Sequence, residues 1–234
     1  MRLHCVMLAA EACIVLITIP IYRITGYALG PWAMVFGFIF PIFTNSRDSL
    51  VPVDFPHLSE RVMLCVVFTF GEMILAITGY FSGTFSGWSV YYSLMAFLII
   101  VGLFSSYGHF YNHLLDREIV TPGTGYMLLH IVMIVSLNCI TAALEFMRER
   151  EVAQIPKNIF MVASVLVFYF CLLLTHRYSH RSFPGGKKFY FFVAGGALLF
   201  CCVIRLVYRT EAIGIAATVL FIYLQLFALR KSKP

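Results

Sequence analysis

The hexapeptide Pro56-His57-Leu58-Ser59-Glu60-Arg61 leads directly into an apolar run from Val62 to Phe81, and Glu72 sits near the middle of that run. A helix of ~20 such residues crosses a bilayer. At roughly 1.5 Å rise per residue, Glu72 lies about 16 Å along it from Arg61. A carboxylate at that depth is costly in hydrocarbon and is rarely kept without a use. Glu72 is therefore expected either to be covered by a partner or to exchange a proton. Arg61, Phe68, Glu72 and Gly79 recur at intervals of 7, 4 and 7 and share one helical face, which His57 joins if the helix starts early. Gly71 and Gly79 would let a neighbouring backbone come close to the carboxyl. The plain alternative is that Glu72 makes one interhelical hydrogen bond and only fixes packing.

A second polar set lies on the later run from Tyr126 to Phe146: His130, Asn138, Thr141 and Glu145. Asn138 and Glu145 are seven apart on one stripe, and His130 comes two turns before Asn138. If both runs cross the membrane in the same direction, Asn138 sits at about the depth of Glu72, counting ~1.5 Å per residue. Glu11, mid-way along the first apolar run, extends the set. Carboxyls held away from water keep their protons to higher pH, and imidazole titrates near neutrality, so such a ladder could relay protons or bind a cation. Taken singly, a buried His or Asn is more often a satisfied packing residue; the argument rests on the set. Expected ligand or ion contacts are thus Glu72, Glu145, His130, Asn138, Glu11, Arg61, His57 and Glu60.

A different chemistry is written in His109-Phe-Tyr-Asn-His113 and His176-Arg-Tyr-Ser-His180. Each H-x-x-x-H pair puts two imidazoles on one face of a continuous helix, as metal ligation requires. Membrane-bound lipid desaturases and hydroxylases resemble this in placing histidine boxes at the cytoplasmic surface. However, H-x-x-H-H boxes are missing, and Arg177 and Arg181 flank the second pair. The expectation is therefore no catalytic residues, no resident metal and no cofactor. A lipid-modifying metalloenzyme using His109, His113, His176 and His180 remains the alternative, beside a non-transporting membrane sensor.

The arrangement H-L-S-E-R, then Leu64, then Phe70-Gly71-Glu72-Met73-Ile74, resembles the signature of the bacterial low temperature requirement A (LtrA) family of integral membrane proteins. Tyr126, His130 and Ala142-Ala143-Leu144-Glu145 are similar to a later family helix that opens with an aromatic and a histidine and closes in a glutamate. This resemblance covers about residues 50 to 180. An early E-L-F-x-D type stretch is absent, which implies a C-terminal portion of a longer protein or a shortened member. The resemblance implies a polytopic membrane protein linked by name to growth in the cold, and no settled biochemical activity.

Composition points the same way. The chain is 61% hydrophobic, 16% aromatic and only 12% charged, with a mean hydropathy of +0.88; a soluble domain is about one quarter charged. Runs such as Met161 to Leu174 are apolar on every face, unlike the alternating strands of a β-barrel. The fold class is all-α: a polytopic transmembrane helical bundle forming a single integral membrane domain over residues 1–234. About eight spans are expected: Leu3–Tyr22, Tyr27–Phe43, Val62–Phe81, Trp88–Phe110, Tyr126–Phe146, Ile159–Thr175, Phe189–Tyr208 and Ala212–Leu229. The second contains Pro31 and Pro41, so it could be kinked or re-entrant. Glu11 interrupts the first, and no small-residue cleavage site follows, so it reads as a retained span and not a signal peptide.

The net charge of +6 sits at the ends of apolar runs without interleaved aromatics. That pattern sets topology beside anionic lipid and does not describe a nucleic-acid surface. The seven cysteines fall inside apolar runs without a C-x-x-C pair, as packing residues do. The expected partners are the lipid bilayer and a small ion or proton, with an oligomer possible and no nucleic acid. With the N-terminus inside, the inner segments hold 11 Lys and Arg and the outer segments 6. The expected location is the cell (inner) membrane, multi-pass, with both termini cytoplasmic. A single cysteine introduced at Ser232, in a background lacking native cysteines, should react with an impermeant maleimide only after permeabilisation; labelling of intact spheroplasts would reverse the assignment.

Overall fold

The computed structural model describes residues 2–26, 32, 35–37, 39–40, 53–81, 86–147, 153–180, 187–207 and 210–231. Within them run seven long helices: α1 (Arg2–Thr25), α2 (Phe55–Ile77, continued by a 3-10 turn Thr78–Phe81), α3 (Gly87–His113), α4 (Thr124–Phe146), α5 (Gln154–Thr175, continued by a 3-10 turn His176–Tyr178), α6 (Lys187–Leu206) and α7 (Glu211–Lys231). Six of these segments, from Phe55–Phe81 to Glu211–Lys231, are long and apolar enough to cross a membrane, and Ala12–Ile24 adds a shorter apolar stretch. The all-helical membrane bundle expected from the sequence is therefore present. The second expected span, Tyr27–Phe43, lies mostly outside the described residues.

The helices start and stop where local chemistry directs. Ser86 caps α3, its hydroxyl accepting from the Ser89 amide at 3.2 Å, which satisfies one otherwise orphaned donor. Pro56 occupies the first turn of α2, where a missing amide hydrogen costs nothing. Gly123 carries a positive φ of 73° and lets the chain turn after Pro122 into α4, where the Met127 amide donates to its carbonyl. Beyond α3 and α5, the chain makes an isolated antiparallel bridge between Leu115 and Ser179. There the Asp116 amide donates to Tyr178 O at 2.9 Å and the His180 amide to Leu114 O at 3.0 Å.

The chain divides into two compact units, Met1–Phe55 with Val120–Leu128, and Pro56–Ile119 with Leu129–Pro234. In the first, Phe55 meets Tyr126 edge-on at 5.0 Å. Among the described residues of the second, α3 and α7 share the most extensive interface and run in the same direction. Tyr91 on α3 donates to Ala212 O at 2.7 Å near the start of α7. Further along, Gly102 lies against Ile222, so close that a Cβ there would stand 2.5 Å from Ile222 Cγ2. Gly196 of α6 likewise admits Gln225 of α7, and Phe200 stacks on Phe221 at 4.5 Å. α2 packs through Phe70 against Phe104 of α3 at 5.3 Å.

Lipid tails are as apolar as leucine, so helices in a bilayer gain little from burying hydrophobic groups against each other and associate through close packing and hydrogen bonds. The burial pattern agrees: only 17% to 50% of each apolar span is buried. Large apolar side chains such as Phe68, Leu75, Phe191 and Leu206 are exposed, as lipid contact permits and water does not. Small residues at helix contacts should therefore govern stability. Gly102→Leu is expected to destabilise the detergent-solubilised protein by about 1–3 kcal/mol through overpacking against Ile222. Gly71→Ala, where a Cβ meets nothing within 4 Å, should change it by less than about 0.5 kcal/mol; thermal unfolding of the two variants measures both.

Candidate functional site

α2 turns Val66, Phe70, Met73 and Ile77 inward. That rotation leaves Arg61, Cys65, Phe68 and Glu72, spaced 4, 3 and 4 apart, exposed on another face. Among the described residues, Glu72 is thus exposed. Gly71 beside it also faces open space among the described residues. His57 and Glu60 are exposed in the first turns of the helix, while Ser59 between them is buried and donates to Pro56 O at 2.8 Å.

α4 treats its polar residues in two ways. Asn138 and Glu145 are exposed, while His130 is 1% exposed and meets the Tyr107 ring edge-on at 5.8 Å. The eight-residue spacing between His130 and Asn138 rotates them about 80° apart at 3.6 residues per turn. That is enough, with the buried seam centred on Met133, Leu137 and Ile140, to put one inside and the other outside. One hydrogen bond fixes the relative register of the two helices. Tyr80 Oη donates to Leu144 O at 2.6 Å, pinning the far ends of α2 and α4 together. α3 returns the chain between them, so both run the same way. Glu72 lies eight residues before Tyr80 and Asn138 six before Leu144, or about 12 and 9 Å back along the helices. The Glu11 side chain lies outside what the structure describes.

A second polar region, not singled out by the sequence, threads the interior between α3, α5 and α7. At one end Lys157, 2% exposed, forms a 3.3 Å ion pair with Glu211, next to buried Asn158. About 18 Å further along α5, Tyr169 Oη lies 3.1 Å from Ser106 Oγ and donates to Ile222 O at 3.2 Å. Gln225 Nε2 donates to Val193 O at 3.4 Å. At the other end His176 is sandwiched between Phe110 and Phe189, stacked at 5.6 and 5.7 Å. The expected span Ile159–Thr175 leaves Lys157 outside it, but α5 begins at Gln154 and carries Lys157 inward. The one available signal was an acid, Glu211, opening the last apolar run within reach of a lysine that opens an earlier one.

The two histidine pairs differ. His109 and His113 share a helical face, with ring centroids 5.0 Å apart. His176 and His180 do not: α5 ends at Thr175, so His176 turns into the bundle while His180 lies 57% exposed, 3.7 Å from Asp116. Among the described residues, no group of three or more His, Cys, Asp or Glu could hold a metal ion. The cysteines Cys13, Cys65, Cys139, Cys171, Cys201 and Cys202 are free thiols.

The family model for "Bacterial low temperature requirement A protein (LtrA)" matches residues 1–229. No curated protein and no solved structure matches the chain.

The buried ion pair yields a separate test. Glu211→Gln leaves the Lys157 ammonium buried without its carboxylate and is expected to cost about 3 kcal/mol or less, at the low end for a broken buried pair because Glu211 is 30% exposed. The double variant Lys157→Met/Glu211→Leu should recover most of that loss in the same thermal assay.

Proposed function

Because the chain belongs to the bacterial low temperature requirement A (LtrA) family, we propose that this multi-span membrane protein transports or conducts a small ion or proton. It does so in the cell (inner) membrane with both termini cytoplasmic. The observation that carries the reading is Glu72: an ionisable group in the interior of a segment long and apolar enough to cross a membrane, exposed among the described residues. A carboxyl facing acyl chains is costly, whereas a hydrated path or a partner accommodates it. Asn138 at similar depth on α4 offers an amide that both donates and accepts. Glu145 lies two turns further along α4, and Arg61, Glu60 and His57 lie at the opposite end of α2. Exchangeable groups thus stand at three levels, with His130 and Tyr107 on the inner side of the same helix layer.

The metalloenzyme reading finds less support, since its second histidine pair is split between the bundle and the surface. Stoichiometric iron or zinc in the purified protein, lost on replacing His109 and His176, would restore it. A sensor would use the same polar residues without throughput, so flux through proteoliposomes separates it from transport.

Glu72→Gln preserves shape and hydrogen bonding while removing the titratable proton. The expected outcome is normal membrane insertion and thermal stability, with loss of pH-dependent flux in proteoliposomes and of growth complementation in the cold. A Gln variant that folds, complements and keeps the wild-type pH profile would leave Glu72 as a packing residue and remove the basis of the proposal.

A further inference from the structure

Where α3 and α7 end side by side, a cavity of about 520 Å³ opens between Ser105, His109, Asn112 and His113 of α3 and Arg230 of α7, with Phe104 at its deeper side. Ser105, His109 and Asn112 follow each other at helical spacing, four and three residues apart, and so converge on one face. Gly108 leaves the floor open, since a Cβ there would meet nothing within 4 Å. His109 is 8% exposed, while Asn112, His113 and Arg230 face outward.

Among the described residues, the lining supplies a hydroxyl, an amide, two imidazoles and a guanidinium, and no carboxylate. A guanidinium repels a metal cation, and its planar fork matches the oxygens of a phosphate. The helix dipole gives a simpler reason for one part of this set. Arg230 and His113 stand in the last turns of their helices, where the carbonyl ends favour positive charge. The dipole does not account for the concavity, nor for Ser105, His109 and Asn112 facing into it from earlier turns. The site also closes two membrane spans, Gly87–His113 and Glu211–Lys231, at the level where headgroups meet hydrocarbon. From it an exposed aromatic stripe, Phe104 and then Phe97 seven residues deeper, runs along α3 toward mid-span.

We infer that this cavity binds a phosphate group, that of an anionic phospholipid whose acyl chains lie along Phe104 and Phe97, with Arg230 as the charged fork and Ser105, His109 and Asn112 as neutral or assisting donors. Basic pockets between helices at a membrane surface bind acidic headgroups in this way. The site is distinct from the Glu72 face and stands whether or not the chain moves ions.

The test uses the full chain in detergent, delipidated and titrated with phosphatidylglycerol or with phosphatidylcholine of the same acyl chains, bound lipid being counted by native mass spectrometry. The wild type should retain phosphatidylglycerol in preference to phosphatidylcholine. Arg230→Gln should weaken that retention roughly tenfold, the effect of losing one charge-assisted contact. Asn112→Leu should weaken it less, and Lys231→Gln, which removes the same charge one residue outside the cavity, should leave it unchanged. A further arm adds sn-glycerol 3-phosphate: displacement of the lipid at millimolar concentration would support phosphate recognition with a soluble source, and failure to displace would assign the intact lipid. Equal losses in Arg230→Gln and Lys231→Gln, or equal retention of the two lipids, would overturn the inference.

Discussion

The contact of Gly102 with Ile222 is the constraint from which the rest of the second unit is built. With hydrogen as its side chain, α3 lets α7 approach until the Ile222 backbone comes within reach of Tyr169, whose hydroxyl donates to the Ile222 carbonyl and lies 3.1 Å from Ser106. A carbonyl of a helix interior already accepts from its own helix, so the tyrosine uses the second lone pair, and three helices are tied at one level. Toward the start of these helices the same parallel alignment brings Lys157 to Glu211; toward their ends it brings Arg230 beside His109 and Asn112. A bulkier residue at position 102 would push α7 away and loosen all three levels together.

Two kinds of polar residue result, held by opposite means. The interior groups, Lys157, Ser106, Tyr169 and Gln225, are each matched to a named partner, as the low dielectric of a bilayer core demands. Glu72 and Asn138 are turned outward on helices whose inward faces are taken by Val66, Phe70 and Met73 on one side and Met133, Leu137 and Ile140 on the other. Outward polar groups at that depth make sense for residues meant to exchange protons or meet something beyond the chain, and make poor sense as packing. The proposed role of α2 and α4 rests on that contrast.

Much of the architecture was legible because the bilayer leaves the backbone few options. A chain crossing hydrocarbon must satisfy every amide within its own helix, so continuous apolar runs map onto helices almost residue for residue. Trp88–Phe110 became Gly87–His113, and Tyr126–Phe146 became Thr124–Phe146. Pro122-Gly123 marked a turn for the same local reason that glycine alone accepts a positive φ there without strain.

Rotation about each helix axis was not legible. In a soluble helix the apolar stripe shows which side faces the core; here nearly every face is apolar, so periodicity carries little information about orientation. By itself the sequence determined an all-helical membrane protein, the approximate ends of its spans, and membership of a family. Only the tertiary structure decided that His130 turns inward and Asn138 outward, that α5 stops at Thr175 and so separates His176 from His180, and that Lys157 enters the bundle to meet Glu211. Those outcomes depend on which neighbour a helix meets and how closely a glycine lets it approach, and contacts between residues 54 to 121 positions apart leave no trace in local spacing.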